Sequence, residues 1–535
     1  FIVFYYVRKE DIMEKKKKLI ILGVIILILA ISGLTYAILT WTSSKINIGL
    51  TSGCFTIDYT KGQDISGNLK LLNESDLISN NKFTIKNGIG ISAVNIGIKS
   101  TCTIEGYGSI YLNVTNISDA FTTGDSKGAL KYVVLDNTST ITTPSSVTVD
   151  SLLNQSFDIV STGSITSNDT ITLLTKQLSN TEIYKYLVVI YVDNALAGNS
   201  ITSASFTGNI SADANQGKVP LSTQIIGLYN NASKTIVTNN SINYEYDTAN
   251  NLMQDVGGNI RYYGASPNNY IYFNCSNYAN QSSSTCELWR IIGVFDGKVK
   301  LIRNESIGNY AWDNKNTSTG AETDYGKNDW TEARLMKLLN PGYDSETIGG
   351  SLYYNAESGT CYVGKNNATT ECDFTNIGIK NDETRSLISD TTYYLGGWNS
   401  TSVYSNQIYE YERGTTVYTG RPTTWPGKIA LPYPSDYGYA ADLGKCLNKQ
   451  LSSYNDSTCT SNNWMMAILA TNYDWLLTPH SVNSNYAWYV YSSGFVNGIS
   501  GAYLALGVAP VLSLSSELSI KAGTGSSSEP YQLAV

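Results

Sequence analysis

The chain has 535 residues, a formal net charge of −8 and a hydrophobic fraction of 42%. This length allows two or three domains, each with its own apolar core. The densest basic cluster lies near the N-terminus, and no Lys/Arg stripe with interleaved aromatic residues follows it, which argues against a nucleic-acid partner. Abundant Asn, Ile, Lys and Tyr indicate an AT-rich genome and favour a low-GC bacterium.

The N-terminal region predicts export. Residues 1–12 are interpreted as an upstream, non-native extension, because a signal-like segment begins at Met13. A basic cluster ending at Lys18 precedes an apolar run that contains a small-residue stretch typical of cleavage sites. Read through to Leu39, the run has about 21 residues, enough to span a bilayer. Residues 13–44 are therefore predicted to be a cleaved signal peptide or an uncleaved membrane helix with its lysines in the cytoplasm.

Residues 45–215 predict an all-β sandwich. This region is rich in Thr, Ser, Ile and Val and shows little sign of amphipathic helix. Apolar residues alternate along 108–116, which predicts a half-buried strand, whereas the continuous apolar run 184–193 predicts a central strand. Another alternating segment follows at 203–212. Several short strands separated by Gly, Asn and Ser turns are typical of a β-sandwich.

Residues 216–240 are interpreted as a connector, and residues 241–535 as a mixed α+β domain. Two apolar strands around Asp296 and Gly297 predict a hairpin, since this dipeptide suits a type I′ turn. The segment 328–342 predicts a helix, and a second short helix is expected within 382–389.

The longer predicted helix has signals at both ends. Asp329 or Thr331 is expected to cap its N-terminus, and the run Asn340-Pro341-Gly342 is expected to end it. Three leucines give its apolar stripe. After both helices the pattern returns to strands in three segments: 485–498, 506–515 and 525–533.

The eight cysteines form an even set with a recurrent spacing. Three pairs enclose short polar loops, and the fourth pair is more widely spaced: Cys275 and Cys286, Cys361 and Cys372, Cys446 and Cys459, then Cys54 and Cys102. A zinc site would need shorter spacings or histidine partners, and a redox couple would need C-x-x-C. The pattern favours local disulfides, each worth roughly 2–3 kcal/mol, in an oxidising compartment. Eight cysteines allow 105 connectivities, so the pairing stays open.

No catalytic constellation emerges from the sequence. His480 is the only histidine, so a Ser-His-Asp triad would have to use it, and no G-x-S-x-G motif is present. A pair of carboxylates for glycoside hydrolysis remains an alternative, because any two of 44 acidic residues could meet in space. The sequence therefore predicts no catalytic residue, no cofactor and no metal ligand.

The aromatic residues near the C-terminus are the sequence feature that favours a binding function. Alternation within 483–498 places Trp488 and Val490 on one strand face, predicted to be core, and Tyr489 and Tyr491 on the other. The second face either packs against a neighbouring strand or is an exposed binding surface, for which Tyr, Asn and Ser are well suited. The predicted ligand-binding residues are His480, Asn483, Asn485, Tyr489, Tyr491, Asn497 and Tyr503. For His480, a loop residue with satisfied partners is the alternative interpretation.

Together these segments resemble bacterial surface modules of C-type-lectin-like fold. The resemblance rests on "WTEARLMKLLN" at 330–340, "WLLTP" at 475–479, an aromatic strand pair, and the closing "GVAPVLSL" and "GTGSSSEPYQL". Formylglycine-generating enzymes share this fold, but no matching catalytic cysteine pair is found here. Tropism-determinant variable proteins also use it and display Asn-, Tyr- and Ser-rich positions, to which residues 480–503 are similar in kind.

Two departures from those families limit what the resemblance implies. Ala509 precedes Pro510 where relatives often carry arginine. The Glu-Pro-Asn and Gln-Pro-Asp signatures of calcium-dependent lectins are also missing from the chain. The resemblance therefore implies the α+β fold without metal-mediated sugar binding.

Residues 13–215 resemble secreted biofilm-matrix proteins in which a "GLTYA"-type signal precedes a β-sandwich. The whole sequence is thus expected to be a multidomain, membrane-anchored bacterial cell-surface binding protein without catalytic activity. Its expected partner is a glycan or protein on a host or neighbouring cell. The alternatives are a structural matrix or envelope component assembled through the β-sandwich and an extracellular hydrolase.

Overall fold

A computed structural model describes ten stretches of the chain: 37–39, 55–61, 67–100, 106–137, 143–179, 182–216, 218–314, 325–365, 367–471 and 473–535. These stretches form two compact units; the first ends at Val219 and the second comprises Pro220–Val535. Strands dominate the described residues, so the prediction of a β-rich multidomain protein is confirmed. Most of the predicted signal or anchor segment lies outside them. Among the helices described, none has the length and apolar character needed to cross a bilayer.

The first unit consists largely of strands. Its strands are β1 Ala37–Leu39, β2 Phe55–Lys61, β3 Gly67–Leu69, β4 Leu71–Leu72, β5 Ile78–Ser79, β6 Lys82–Thr84, β7 Gly90–Ser100, β8 Gly106–Ile117, β9 Leu130–Asp136, β10 Ser156–Ser164, β11 Thr170–Leu178, β12 Ile183–Asp193 and β13 Ser205–Gln216. Its short helices are α1 Glu74–Leu77, α2 Asp119–Thr122 and α3 Val149–Leu152, with 3-10 turns at Pro144–Ser146, Asn194–Leu196 and Asn199–Ser203. The strands predicted within 108–116, 184–193 and 203–212 are confirmed as β8, β12 and β13.

Two sheets of the first unit share one apolar core. One sheet has the order β11-β8-β13-β1-β3, and the other has the order β2-β7-β12-β9-β10-β6-β5, with β4 beside β12. Along β12, Val188 and Ile190 face the core between the sheets, whereas Leu187 and Val189 face a second core on the opposite side. A strand that is buried on both faces has few positions for polar residues. This explains why β12 reads as a continuous apolar run.

The second unit has more numerous and shorter elements. Its strands are β14 Thr235–Asn239, β15 Ile242–Asp247, β16 Leu252–Gln254, β17 Ile260–Tyr262, β18 Tyr270–Phe273, β19 Glu287–Phe295, β20 Lys298–Arg303, β21 Asn309–Ala311, β22 Ser358–Tyr362, β23 Thr369–Asp373, β24 Thr391–Tyr394, β25 Thr424–Gly427, β26 Ile429–Ala430, β27 Tyr473–Pro479, β28 Tyr486–Tyr491, β29 Val496–Gly501, β30 Ala505–Gly507, β31 Val511–Ser513, β32 Ser519–Ala522 and β33 Gln532–Ala534. Its helices are α4 Leu221–Asn231, α5 Arg334–Leu339, α6 Leu352–Asn355, α7 Asp382–Leu387, α8 Ser405–Glu412, α9 Pro434–Ala440, α10 Ser457–Thr460 and α11 Met466–Leu469, with a 3-10 turn at Leu451–Ser453. Residues 220–240, assigned to a connector from sequence, thus contain α4 and β14.

Two larger sheets organise the second unit. One has the order β14-β15-β16-β17-β19-β20-β31-β26, with β18 also paired to β19, and the other has the order β21-β30-β27-β28-β29. The predicted hairpin is confirmed as β19–β20. Its turn residues Asp296 and Gly297 have φ values of 48° and 73°, and a type I′ turn requires positive φ at both.

Three local disulfides join the predicted cysteine pairs of the second unit: Cys275–Cys286, Cys361–Cys372 and Cys446–Cys459. These bonds are compatible with an extracellular or other oxidising compartment. Cys54 and Cys102 lie outside the described residues.

Helix α5 begins later than the sequence predicts. The structure starts it at Arg334, after Ala333, and neither Asp329 nor Thr331 caps it. Asp329 instead accepts a hydrogen bond from the Thr331 amide at 3.1 Å and closes a local turn. The Arg334 amide donates to Asp313 at 3.2 Å, so a carboxylate distant in sequence satisfies the helix start. The predicted end is correct, since the helix stops before Asn340.

A buried charge network links three elements of the second unit. Arg261 on β17 donates to Asp255 (Nε to Oδ2, 2.5 Å) and to Asp436 on α9 (Nη1 to Oδ1, 2.8 Å). Lys300 on β20 lies 2.5 Å from the other oxygen of Asp436. Burial alone would raise the pKa of Asp436, but the charges of Lys300 and Arg261 outweigh burial and lower it to about 2. This carboxylate therefore stays ionised in the folded protein and holds both cations in place.

Candidate ligand-binding site

The predicted ligand residues lie on or next to the five-stranded sheet of the second unit. Strands β27, β28 and β29 are adjacent and antiparallel in this sheet. The predicted core face is confirmed: Trp488 and Val490 on β28 are fully buried, as is Val496 on β29. The opposite face is also buried at Trp475 and Leu477, so it could meet a ligand only towards its ends.

Four aromatic side chains on this opposite face form a surface cluster, here called the aromatic patch: Tyr473, Tyr489, Tyr491 and Phe495. The rings of Tyr491 and Phe495 are stacked, with centroids 4.6 Å apart and an interplanar angle of 17°. Tyr473 meets Tyr491 edge-on at 4.6 Å and lies 6.2 Å from Tyr489. Tyr473 is 37% exposed, and the other three rings are half-buried. The rings of the patch thus lie in two orientations.

Strand register brings these rings together. Tyr473 pairs directly with Tyr491 across β27 and β28, and Tyr489 lies two residues away on the same face. Phe495 follows the turn "YSSGF", where the Tyr491 amide donates to the Phe495 carbonyl at 2.8 Å. The turn needs Gly494, because its φ is +98° and a Cβ there would lie 2.8 Å from the Met466 sulfur.

The turn that carries the patch is tied to the core. The hydroxyl of buried Tyr437 donates to the Gly494 carbonyl at 2.7 Å. Buried hydrogen bonds of this kind fix backbone position. The patch is therefore held on a fixed backbone, which limits the entropy that a ligand must remove on binding.

Hydrogen bonds also orient the tyrosine rings. The Tyr491 hydroxyl is hydrogen-bonded to Tyr473, and this bond together with the neighbouring Tyr473 raises the pKa of Tyr491. Burial raises the pKa of Tyr489, while a hydrogen bond with Asn497 opposes the shift. Asn497 faces Tyr489 across β28 and β29. Three of the predicted ligand residues, Tyr489, Tyr491 and Asn497, are therefore neighbours.

His480 is at the other end of the sheet, directly after β27. Strand β27 has seven residues, so about 20 Å separate it from Tyr473. Its ring is only slightly exposed, and its Nδ1 accepts hydrogen bonds at 3.2 Å from the amides of Val482 and Asn483. Burial lowers its pKa. In this position His480 organises a loop and offers little surface to a ligand.

The remaining predicted residues share this second end. Asn483 is exposed, whereas the Asn485 carbonyl accepts from the Ala502 amide at 2.8 Å. Tyr503 packs against Tyr325, with ring centroids 5.1 Å apart. The seven predicted ligand residues thus form two groups at opposite ends of one sheet.

Asn328 and Arg421 fix the loop at the second end. The Asn328 side chain donates to the carbonyls of His480, Asn483 and Tyr486 at 2.7–2.9 Å. Arg421 donates to the carbonyl of Ser484 at 3.1 Å. Neither residue could be identified from sequence, because both lie far along the chain from the loop.

Two members of the aromatic patch were also missed from sequence. Phe495 lies within the aromatic stretch, but only the turn places its ring on Tyr491. Tyr473 precedes the buried strand residue Trp475, and only the pairing of β27 with β28 places it opposite Tyr491. The available signal was an aromatic residue within the segment 485–498 and another just before "WLLTP" at 475–479.

The described residues contain no group of three or more His, Cys, Asp or Glu side chains arranged to hold a metal ion. The chain matches no known protein family, and no curated protein sequence is similar to it.

Proposed function

We propose that the protein is an exported cell-surface binding protein and that the aromatic patch is its ligand face. The observation that carries the proposal is the cluster of Tyr473, Tyr489, Tyr491 and Phe495, which is partly exposed on a fixed backbone. Tyrosine-rich surfaces supply large contact area at low entropic cost, and such residues are enriched among binding hot spots. The three disulfides support a location outside the cytoplasm.

In this proposal the two units have different roles. The first unit is a β-sandwich that serves as a stalk, and residues 13–44 attach it to the membrane. The second unit is a C-type-lectin-like domain that displays the ligand face without catalytic activity. The ligand is a glycan or protein on a host or neighbouring cell.

The test is binding of the full-length chain, in detergent, to cells and to cell-surface molecule arrays. The double variant Tyr489→Ala/Tyr491→Ala should lose at least about tenfold in affinity, because hot-spot truncations commonly cost 1–2 kcal/mol or more each. The matched control Asn483→Ala/Tyr503→Ala, at the other end of the sheet, should retain binding within about twofold.

Both variants must keep the wild-type unfolding midpoint by tryptophan fluorescence. Equal losses in the two variants, or binding that neither affects, would contradict the assignment of the aromatic patch.

A second role, as a structural matrix component, is favoured by one feature of the first unit. Strand β11 pairs with β8 alone among the described strands, so its other edge is available for pairing with another chain. Electron microscopy of the full-length chain would test this role. Fibres formed by the wild-type chain but not by Thr172→Pro, at an exposed position of β11, would support it. A chain that stays monomeric at high concentration would argue against it.

A further inference from the structure

The sheet that carries the aromatic patch is uncharged over a long stretch. From Trp475 to Ser516 the chain contains no Asp, Glu, Lys or Arg. At the chain average of 15% charged residues, a stretch of this length would carry about six. Because most of three adjacent strands lacks charge, these strands themselves offer a ligand only apolar and neutral polar groups.

The contacts of the patch agree with this composition. Besides burial, the groups that shift the pKa values of Tyr489 and Tyr491 are other tyrosines and Asn497, with no carboxylate, lysine or arginine among them. Asp474 lies next to Tyr473 in sequence, but alternation places it on the opposite face of β27. It is fully buried there against Gly507.

The size of the patch limits what it can bind. An aromatic side chain has about 150–250 Å² of surface, and none of the four rings exposes more than about two-fifths of it, so the patch offers on the order of 300 Å². A stable protein interface needs about 800 Å² on each partner. One or two sugar rings fit the smaller area.

Taken with the proposed function, on which this inference rests, these features define a ligand class. We propose that the aromatic patch binds a neutral saccharide without a metal ion. Because Tyr491 and Phe495 stack on each other, the apolar C–H face of a sugar ring stacks on the outer face of this pair or on Tyr473. The sugar hydroxyls pair with the tyrosine hydroxyls and with Asn497.

This chemistry has consequences that a charged ligand would not share. Interactions between charges weaken as salt is added, whereas stacking and neutral hydrogen bonds are much less affected. Binding should therefore change less than about twofold between about 0.05 and about 0.5 M NaCl, and it should survive EDTA.

The test uses the full-length chain and immobilised oligosaccharides of two kinds. One set holds neutral hexose and N-acetylhexosamine oligomers, and the other holds their sialylated, uronate-containing and sulfated counterparts. We expect binding to at least one neutral probe. Binding confined to acidic probes, or to none of the saccharides, overturns the inference.

Three variants identify the surface used. Tyr491→Ala should lose at least about tenfold in affinity for the neutral probe, whereas Tyr491→Phe keeps the ring and should stay within about threefold. Ile499 is 64% exposed and lies two residues beyond Asn497, so a protein partner would cover it. The affinity of Ile499→Ala for the neutral probe should stay within about twofold of the wild-type affinity. A loss of affinity equal to that of Tyr491→Ala overturns the inference.

A cell-binding arm separates this inference from the proposed function. If cells are bound through the aromatic patch but no saccharide probe is, the proposed function stands and the neutral-saccharide inference fails. If neither cells nor saccharides are bound by the folded chain, both fail. Periodate-sensitive, protease-resistant binding to cells supports both.

Discussion

The two units of this protein reach a stable fold by different means. The first unit pairs long strands, such as β8 and β13 with 12 residues each, around cores made of alternating apolar side chains. The second unit uses many strands of only three or four residues, and it adds three disulfides and a buried charge network. Short strands offer few ladder hydrogen bonds, so the longer loops between them need other restraints. Among the described residues, the second unit therefore relies more on particular contacts, and the first relies more on distributed apolar burial.

Most of the tryptophan fluorescence of this protein comes from the second unit, so it reports on the unfolding of that unit. Eight of the nine tryptophans lie after residue 280. Six of them are among the most deeply buried side chains of the described chain. Tryptophan fluorescence is therefore the probe for variants of the second unit.

Removal of one member of the buried charge network should have the largest effect. Asp436→Ala leaves Arg261 and Lys300 without their shared carboxylate, and breaking a buried pair typically costs about 3–5 kcal/mol. Denaturant unfolding should show this loss as a lower midpoint.

The matched control for Asp436→Ala is an ion pair on the surface of the first unit. Lys82 and Asp158 are 2.7 Å apart but largely exposed. Asp158→Ala should cost no more than about 1 kcal/mol, measured by circular dichroism, which reports on both units. Similar losses for the two variants would remove the proposed difference between the units.

Loss of a disulfide should have the next largest effect. In the chain-entropy model, closing a loop of 11–13 residues is worth about 3 kcal/mol, so Cys446→Ser/Cys459→Ser should destabilise the second unit by about that amount. The disulfide Cys361–Cys372, which Cys361→Ser/Cys372→Ser removes, closes a similar loop in a more exposed hairpin. If the disulfides act on the unfolded chain alone, the two losses will be equal. A larger loss at fully buried Cys446 and Cys459 would show that native packing contributes.

The smallest predicted effect is on the pH dependence of stability. Burial raises the pKa of Glu412 to about 7, against the opposing influence of Arg413 and hydrogen bonds from Ser435. A raised carboxyl pKa means that the folded state binds more protons than the unfolded state between about pH 4.5 and pH 7. Stability should therefore fall as pH rises through this range, by about 1–3 kcal/mol.

Glu412→Gln should reduce this dependence, because the amide does not titrate and its oxygen can still accept from the Ser435 amide, 2.9 Å from the present carboxylate. Urea unfolding at pH 5 and pH 8, followed by tryptophan fluorescence, measures the change. An unchanged pH slope would mean that another group, such as buried Asp313, whose pKa burial also raises to about 7, is responsible.

Local sequence patterns were enough to predict features that depend on neighbouring residues. Alternating apolar positions predicted β8, and the pair Asp296-Gly297 predicted the hairpin between β19 and β20. Regular cysteine spacing predicted the three loop disulfides. Each of these follows from backbone preferences or chain distances over a few residues.

Features that join distant parts of the chain depended on the tertiary fold. Asp313 accepts a hydrogen bond from the first amide of α5, so the helix starts after the predicted caps. Pairing of β27 with β28 placed Tyr473 opposite Tyr491 and left His480 at the far end of the sheet. Strand register is set by which face each segment buries against the others, and no local pattern in one segment records its partner's register. The aromatic patch is therefore visible only in the folded chain.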